Sequence, residues 1–62
     1  MKTWEQYQLE IKCLKEEVGY SLAFERFFKA GLNPSMIQKI LAGSYPNKPK
    51  TEYLVRIDKA LR

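Results

Sequence analysis

Residues 31–43, Gly31-Leu32-Asn33-Pro34-Ser35-Met36-Ile37-Gln38-Lys39-Ile40-Leu41-Ala42-Gly43, constrain the chain more than any other stretch, because they spell a turn, a helix and a second stop in one run. Asn33 is a favoured N-cap, Pro34 fits the first helical position where a missing N–H costs nothing, and Gly43 fits the C′ position. On a wheel of about 100° per residue counted from Pro34, Met36, Ile37, Ile40 and Leu41 fall between roughly 200° and 340°, while Ser35, Gln38, Lys39 and Ala42 fall between roughly 40° and 140°. One face belongs to a core. The other carries a hydroxyl, an amide, an ammonium and a methyl with no carboxylate, the groups that read base edges in a major groove. The segment reads as a recognition helix.

Length narrows the alternatives. A chain of 62 residues makes one domain, 1–62, and buries only about 60% of the surface its unfolded chain exposes. A large core and an enclosed substrate cavity do not both fit. Histidine is absent and cysteine occurs once, so the commonest general base, the usual zinc ligand sets and an internal disulfide are all missing. The expectation is a protein that is no enzyme, with no cofactor, no metal and no small-molecule substrate. The single thiol suits a reducing compartment. The start, Met-Lys-Thr-Trp-Glu-Gln-Tyr-Gln, has no signal-peptide core, and no run of roughly 18 apolar residues follows. A cytoplasmic protein without a membrane partner is expected.

The net charge of +4 is unevenly placed. Residues 1–25 hold three basic against five acidic side chains, a net −2, and residues 26–62 hold eight against two, a net +6. The basic half contains the candidate recognition helix, a polarity that would orient an approach to a phosphate backbone. An unevenly charged solvated surface produces the same numbers.

Four helices are expected and no strand. Trp4, Tyr7, Ile11, Leu14 and Val18 form an apolar stripe over about 3–18, opened by a capping-box pair, Thr3 and Gln6. After Gly19, Ser21 is the expected cap of a second helix to about Ala30, with Ala23, Phe24, Phe27, Phe28 and Ala30 inward. The third helix is 34–42. Ser44 to Lys50 holds two prolines and reads as a loop, and Thr51 is the expected cap of a last helix with Tyr53, Leu54, Ile57, Ala60 and Leu61 inward. Each stripe needs a partner and the connections are short, so the fold class is all-α and compact.

From Ala30 to Leu61 the chain resembles the lambda-repressor/Cro-like helix-turn-helix family, including the xenobiotic-response-element-type regulators. Lys29-Ala30-Gly31-Leu32 is similar to its turn, and Ser35-Met36-Ile37-Gln38-Lys39-Ile40 to its recognition helix. Gly43, the proline-bearing loop to Pro49-Lys50-Thr51, and Tyr53-Leu54-Val55-Arg56-Ile57-Asp58-Lys59-Ala60-Leu61 resemble its glycine, proline and leucine-rich helix ending Ala-Leu. The resemblance implies a four-helix lambda-repressor-like domain. Independently of it, Gly31 can adopt a positive φ and let two helices meet steeply, while Leu32, Ile37 and Ile40 pin the second to the first. The same signals build any small helical bundle.

The chain also departs from the family pattern. Four residues before the turn glycine the family has a small residue, and here Phe27 stands there, preceded by Arg26. Either Leu22-Ala23 supplies the missing pair in a helix longer by one turn, or Phe27 wedges the helices apart. The fifth helix frequent in the family has no counterpart.

What the resemblance implies for single residues follows. Gln38 would pair with adenine through its amide, Ser35 would touch bases or phosphate, and Lys39 would reach guanine or remain solvated. Asn33 would serve as a cap or approach a phosphate with the helix N-terminus. Ser44, Tyr45, Asn47, Lys48 and Lys50 would meet the sugar-phosphate backbone and fix register, or form a solvated turn. Trp4, Tyr7, Phe24, Phe27 and Phe28 are spaced for core packing rather than for stacking on single-stranded bases. Leu9, Cys13 and Tyr20 lie opposite the main stripe of the first helix, where a homodimer could join or where scattered apolar residues stand exposed.

The sequence therefore points to a regulator of bacterial or phage type, a repressor that binds an operator in double-stranded DNA. The alternative is a protein-interaction module, such as a phage-encoded inhibitor of a host protein on a helix-turn-helix-like scaffold, since fold does not fix function.

Overall fold

The Thr3 hydroxyl accepts the Gln6 N–H at 3.2 Å while the Gln6 side chain accepts the Thr3 N–H at 2.9 Å, and this reciprocal cap starts α1, Trp4–Val18. Three further helices follow: α2, Tyr20–Lys29; α3, Pro34–Ala42; and α4, Thr51–Leu61. The computed structural model describes residues 2–45 and 47–62; Pro46, one of the two loop prolines, lies outside them. Among the described residues there is no strand, and no helix is long and apolar enough to cross a membrane.

Gly19 alone joins α1 to α2. It takes φ 87° and ψ 164°, open to glycine at little cost. Its N–H donates to Lys15 at the end of α1 and its carbonyl accepts from Ala23 in the first turn of α2. The cap expected from Ser21 is therefore not made: α2 starts two residues earlier than such a cap would place it, at Tyr20, with Gly19 as a backbone-only N-cap. Likewise Thr51 is not the cap of α4 but its first residue. Lys50 occupies the N-cap without a side-chain bond, and its carbonyl accepts from Tyr53 and Leu54.

Both α2 and α3 end in the same way. Gly31, at φ 102°, donates to the Phe28 carbonyl and Leu32 donates to Phe27; Gly43 donates to Ile40 and Ser44 to Lys39. This doubly bonded Schellman closure satisfies carbonyls that would otherwise be orphaned at a helix end. It also leaves only Ala30 to Asn33 between α2 and α3.

The core takes Tyr7, Ile11 and Leu14 from α1, Ala23 and Phe27 from α2, Leu32 from the turn, Met36, Ile37, Ile40 and Leu41 from α3, and Leu54, Ile57 and Ala60 from α4. These are the stripe positions expected from 3.6-residue periodicity. Phe27 and Ala23 are both fully buried, one turn apart on the same side of α2, whereas Leu22 is 56% exposed. Phe28 corrects the expectation: it is 57% exposed. It lies on the edge of α2 beyond the arc of Ala23, Phe27 and the half-buried Phe24 that packs against the core. Helix α1 packs against the other three and α2 against both α3 and α4, while α3 and α4 make no close backbone approach.

Candidate nucleic-acid interface

Asn33 fixes where α3 begins. Its backbone is extended, Pro34 follows at the first helical position, and its Oδ1 accepts the Met36 N–H at 2.8 Å. Of its two expected roles this is the cap, and the side chain remains exposed beside the helix N-terminus. With Met36, Ile37, Ile40 and Leu41 buried, the opposite arc is left in solvent, and Ser35, Gln38, Lys39 and Ala42 are all exposed. No carboxylate lies within α3. Its nine residues span about 13 Å at 1.5 Å per residue.

The gap between α3 and α4 shapes one flank of this arc. Asn33, Ser35, Met36, Lys39, Tyr45 and Tyr53 line a shallow groove, and Lys39, Tyr45, Asn47, Lys48, Pro49, Lys50 and Tyr53 line a second. The two share Lys39, Tyr45 and Tyr53, so one surface runs from the start of α3 to the start of α4. Seven residues singled out from sequence (Asn33, Ser35, Lys39, Tyr45, Asn47, Lys48 and Lys50) are thereby brought together. Gln38 and Ser44 line neither groove. Both are exposed, Gln38 on the α3 arc and Ser44 where its N–H closes the helix on Lys39.

Tyr45 is more than a loop side chain. It is half-buried, edge-on to Trp4 with ring centroids 6.2 Å apart, and it packs against the core. That contact anchors the loop to α1 and leaves part of the ring in the grooves. Tyr53, read from sequence as a core position of α4, lines both grooves while half-buried. Arg56, off the apolar stripe of α4, donates from Nη1 to the Gly31 carbonyl at 3.0 Å and lies 5.8 Å from the Tyr53 ring centroid. No local sequence pattern marks Arg56 for this contact; it forms because the fold brings a cation to the carbonyls that collect just past the end of α2.

On the other flank, α1 and the end of α3 enclose a groove lined by Glu5, Gln8, Leu9, Lys12, Lys15 and residues 40–43. Lys15 crosses it and donates to the Leu41 carbonyl at 2.9 Å. The exposed residues Leu9 and Cys13 stand on α1, whereas Tyr20 belongs to α2 and meets Phe24 at 6.2 Å between centroids. The arrangement can present hydrogen-bond donors and acceptors to a flat polar edge, flanked by ammonium groups and by the phenol-bearing rings of Tyr45 and Tyr53. No family model, no curated protein and no solved structure matches the chain.

Proposed function

We propose that this protein is a sequence-specific binder of double-stranded DNA. In this reading α2, the turn at Gly31 and α3 act as a helix-turn-helix of the lambda-repressor-like kind, with α3 lying in the major groove. The observation that carries the reading is the exposed arc of Ser35, Gln38 and Lys39 on a helix without carboxylates, continuous with the groove that holds Lys48 and Lys50. Gln38 offers an amide for a bidentate pair with adenine, and Lys39 a donor for guanine. Asn47, Lys48 and Lys50 lie where phosphates of one strand would pass, setting register without reading sequence. Regulation of transcription by occupying an operator in the cytoplasm, with two copies on a palindromic site, is the biological form of this proposal.

Selection of bound sequences from a random duplex pool tests it, followed by affinity measurements on the selected and random duplexes across a salt series. A consensus should emerge, and log affinity should fall linearly with log salt. Gln38→Ala should weaken the consensus complex more than the random one. A pool that yields no consensus defeats the reading. The second reading, a protein-interaction module, is favoured by Leu9, Leu22 and Phe28, each more than half exposed; binding to duplex that is absent even at low salt would support it.

A further inference from the structure

We infer that Lys15 and Arg56 are positioning residues that hold α3 from both ends. Each is a long cation from a different helix donating to one backbone carbonyl: Lys15 of α1 to Leu41 in the last turn of α3 at 2.9 Å, and Arg56 of α4 to Gly31 just ahead of it at 3.0 Å. The accounting of backbone groups explains why these two carbonyls are the ones taken. Ile40 and Lys39 already accept from Gly43 and Ser44, so the Leu41 carbonyl is left to an outside donor. The Gly31 amide is spent on Phe28, and its carbonyl, beyond the end of α2, falls to Arg56.

Both bonds are charge-assisted and bridge distant parts of the chain. The Arg56 brace matters most on its side, because α3 and α4 make no close backbone approach. The guanidinium there fills the space between the turn and Tyr53. A Cβ placed on Gly31 would sit 3.5 Å from Arg56 Cδ, so the side chain lies directly against the turn. The tilt of the Ser35–Gln38–Lys39 arc thus depends on two residues that lie off the arc itself. As a role in recognition this rests on the DNA-binding reading; as a mechanical statement about α3 it does not.

The test uses Lys15→Met and Arg56→Met, which keep the apolar stems and remove the donors, together with Lys15→Arg, which restores a donor. Native-state hydrogen exchange is read first. Amides flanking α3, Leu32 in the turn ahead of it for Arg56→Met and Gly43 and Ser44 behind it for Lys15→Met, should exchange about tenfold faster, the scale of one lost charge-assisted bond. Those of Leu54 and Ile57 should be unchanged, and Lys15→Arg should behave as the parent. Duplex binding is read second: affinity for the selected sequence should fall about tenfold while random-duplex affinity stays within about twofold and the salt slope is unchanged.

Equal acceleration at Leu54 and Ile57 would reduce the bonds to general stability and overturn the inference. Parallel losses on both duplexes with a slope shallower by about one would make these residues phosphate contacts, which also overturns it. So would looser helix ends with unaltered binding. Should the parent protein bind no duplex, the DNA reading fails, and the exchange data alone decide whether the braces exist.

Discussion

The Tyr7 hydroxyl donates to Asp58 Oδ1 at 3.1 Å, joining α1 to α4 across 51 residues of sequence, while Arg62 holds the other carboxylate oxygen at 2.7 Å. Burial pushes the Asp58 carboxyl upward, but the hydrogen bonds from Arg62 and Tyr7 and the charges of Arg62 and Lys2 outweigh it and leave the group below its ordinary 3.8. A carboxyl depressed in the folded state adds stability that is fully present above the unfolded value and is lost as pH falls through the folded one. Urea midpoints should therefore begin to decline as pH drops below about 4. The decline should be blunted in Asp58→Asn; an identical acid limb in that variant would assign the effect to other carboxylates, such as Glu25, which Lys29 holds low.

Tyr7 gives the opposite limb. Burial first, and then the bond and charge of Asp58, push its phenol above 10.0. The folded protein thus holds the proton longer than the unfolded chain, and stability present below pH 10.0 is lost as pH rises through the folded value. Tyr7→Phe should cost about 1 kcal/mol at neutral pH, the net worth of one such bond. It should also flatten the alkaline limb, as thermal melts between neutral pH and about pH 11 would reveal.

Two adjacent phenylalanines should respond very differently. Phe27 is fully buried and Phe28 is 57% exposed. Phe27→Ala should cost about 3–5 kcal/mol, most of what a domain this small has to lose. Phe28→Ser should lie within about 0.5 kcal/mol of the parent. Urea denaturation of both variants decides it, and a large loss for Phe28→Ser would mean that this ring is covered in solution.

These contrasts show which parts of the molecule were legible before folding. The limits of α3 were, because Asn33, Pro34 and Gly43 act on backbone groups within four residues. The starts of α2 and α4 were not, since Gly19 and Lys50 cap through their carbonyls alone and leave no side-chain mark. Phe28 was misplaced because α2 carries apolar residues over a wider arc than its neighbours cover. The candidate site was legible where it is local, on the arc of α3. It was illegible where it depends on meetings across the chain: Tyr45 on Trp4, Tyr53 beside Lys39, and Arg56 on Gly31.

Asn33 allows cap and interface to be separated. Asn33→Ala should lose about 1 kcal/mol through the orphaned Met36 N–H. Asn33→Asp keeps an acceptor and adds a charge favourable at a helix N-terminus, so stability should hold. If the duplex passes the start of α3, that same charge repels phosphate, and affinity should fall on selected and random duplexes alike. Unchanged affinity in a stable Asn33→Asp would remove the helix N-terminus from the interface.

Lys48 and Lys50 test the loop. Both are exposed and line the groove with Lys39, Asn47 and Tyr53, and among the described residues neither ammonium has a hydrogen-bond or salt-bridge partner. Nothing within the described fold would be lost by truncating them, so Lys48→Ala and Lys50→Ala should leave thermal stability within about 0.5 kcal/mol of the parent. Each neutralised phosphate contributes about 0.9 to the slope of log affinity against log salt. Each substitution should therefore make that slope shallower by about this amount and weaken selected and random duplexes equally, whereas Gln38→Ala should leave the slope unchanged and narrow the gap between the two duplexes. If the slope survives both lysine substitutions, the phosphate path does not cross this loop, and the duplex would have to leave α3 on the side of the groove that holds Lys12.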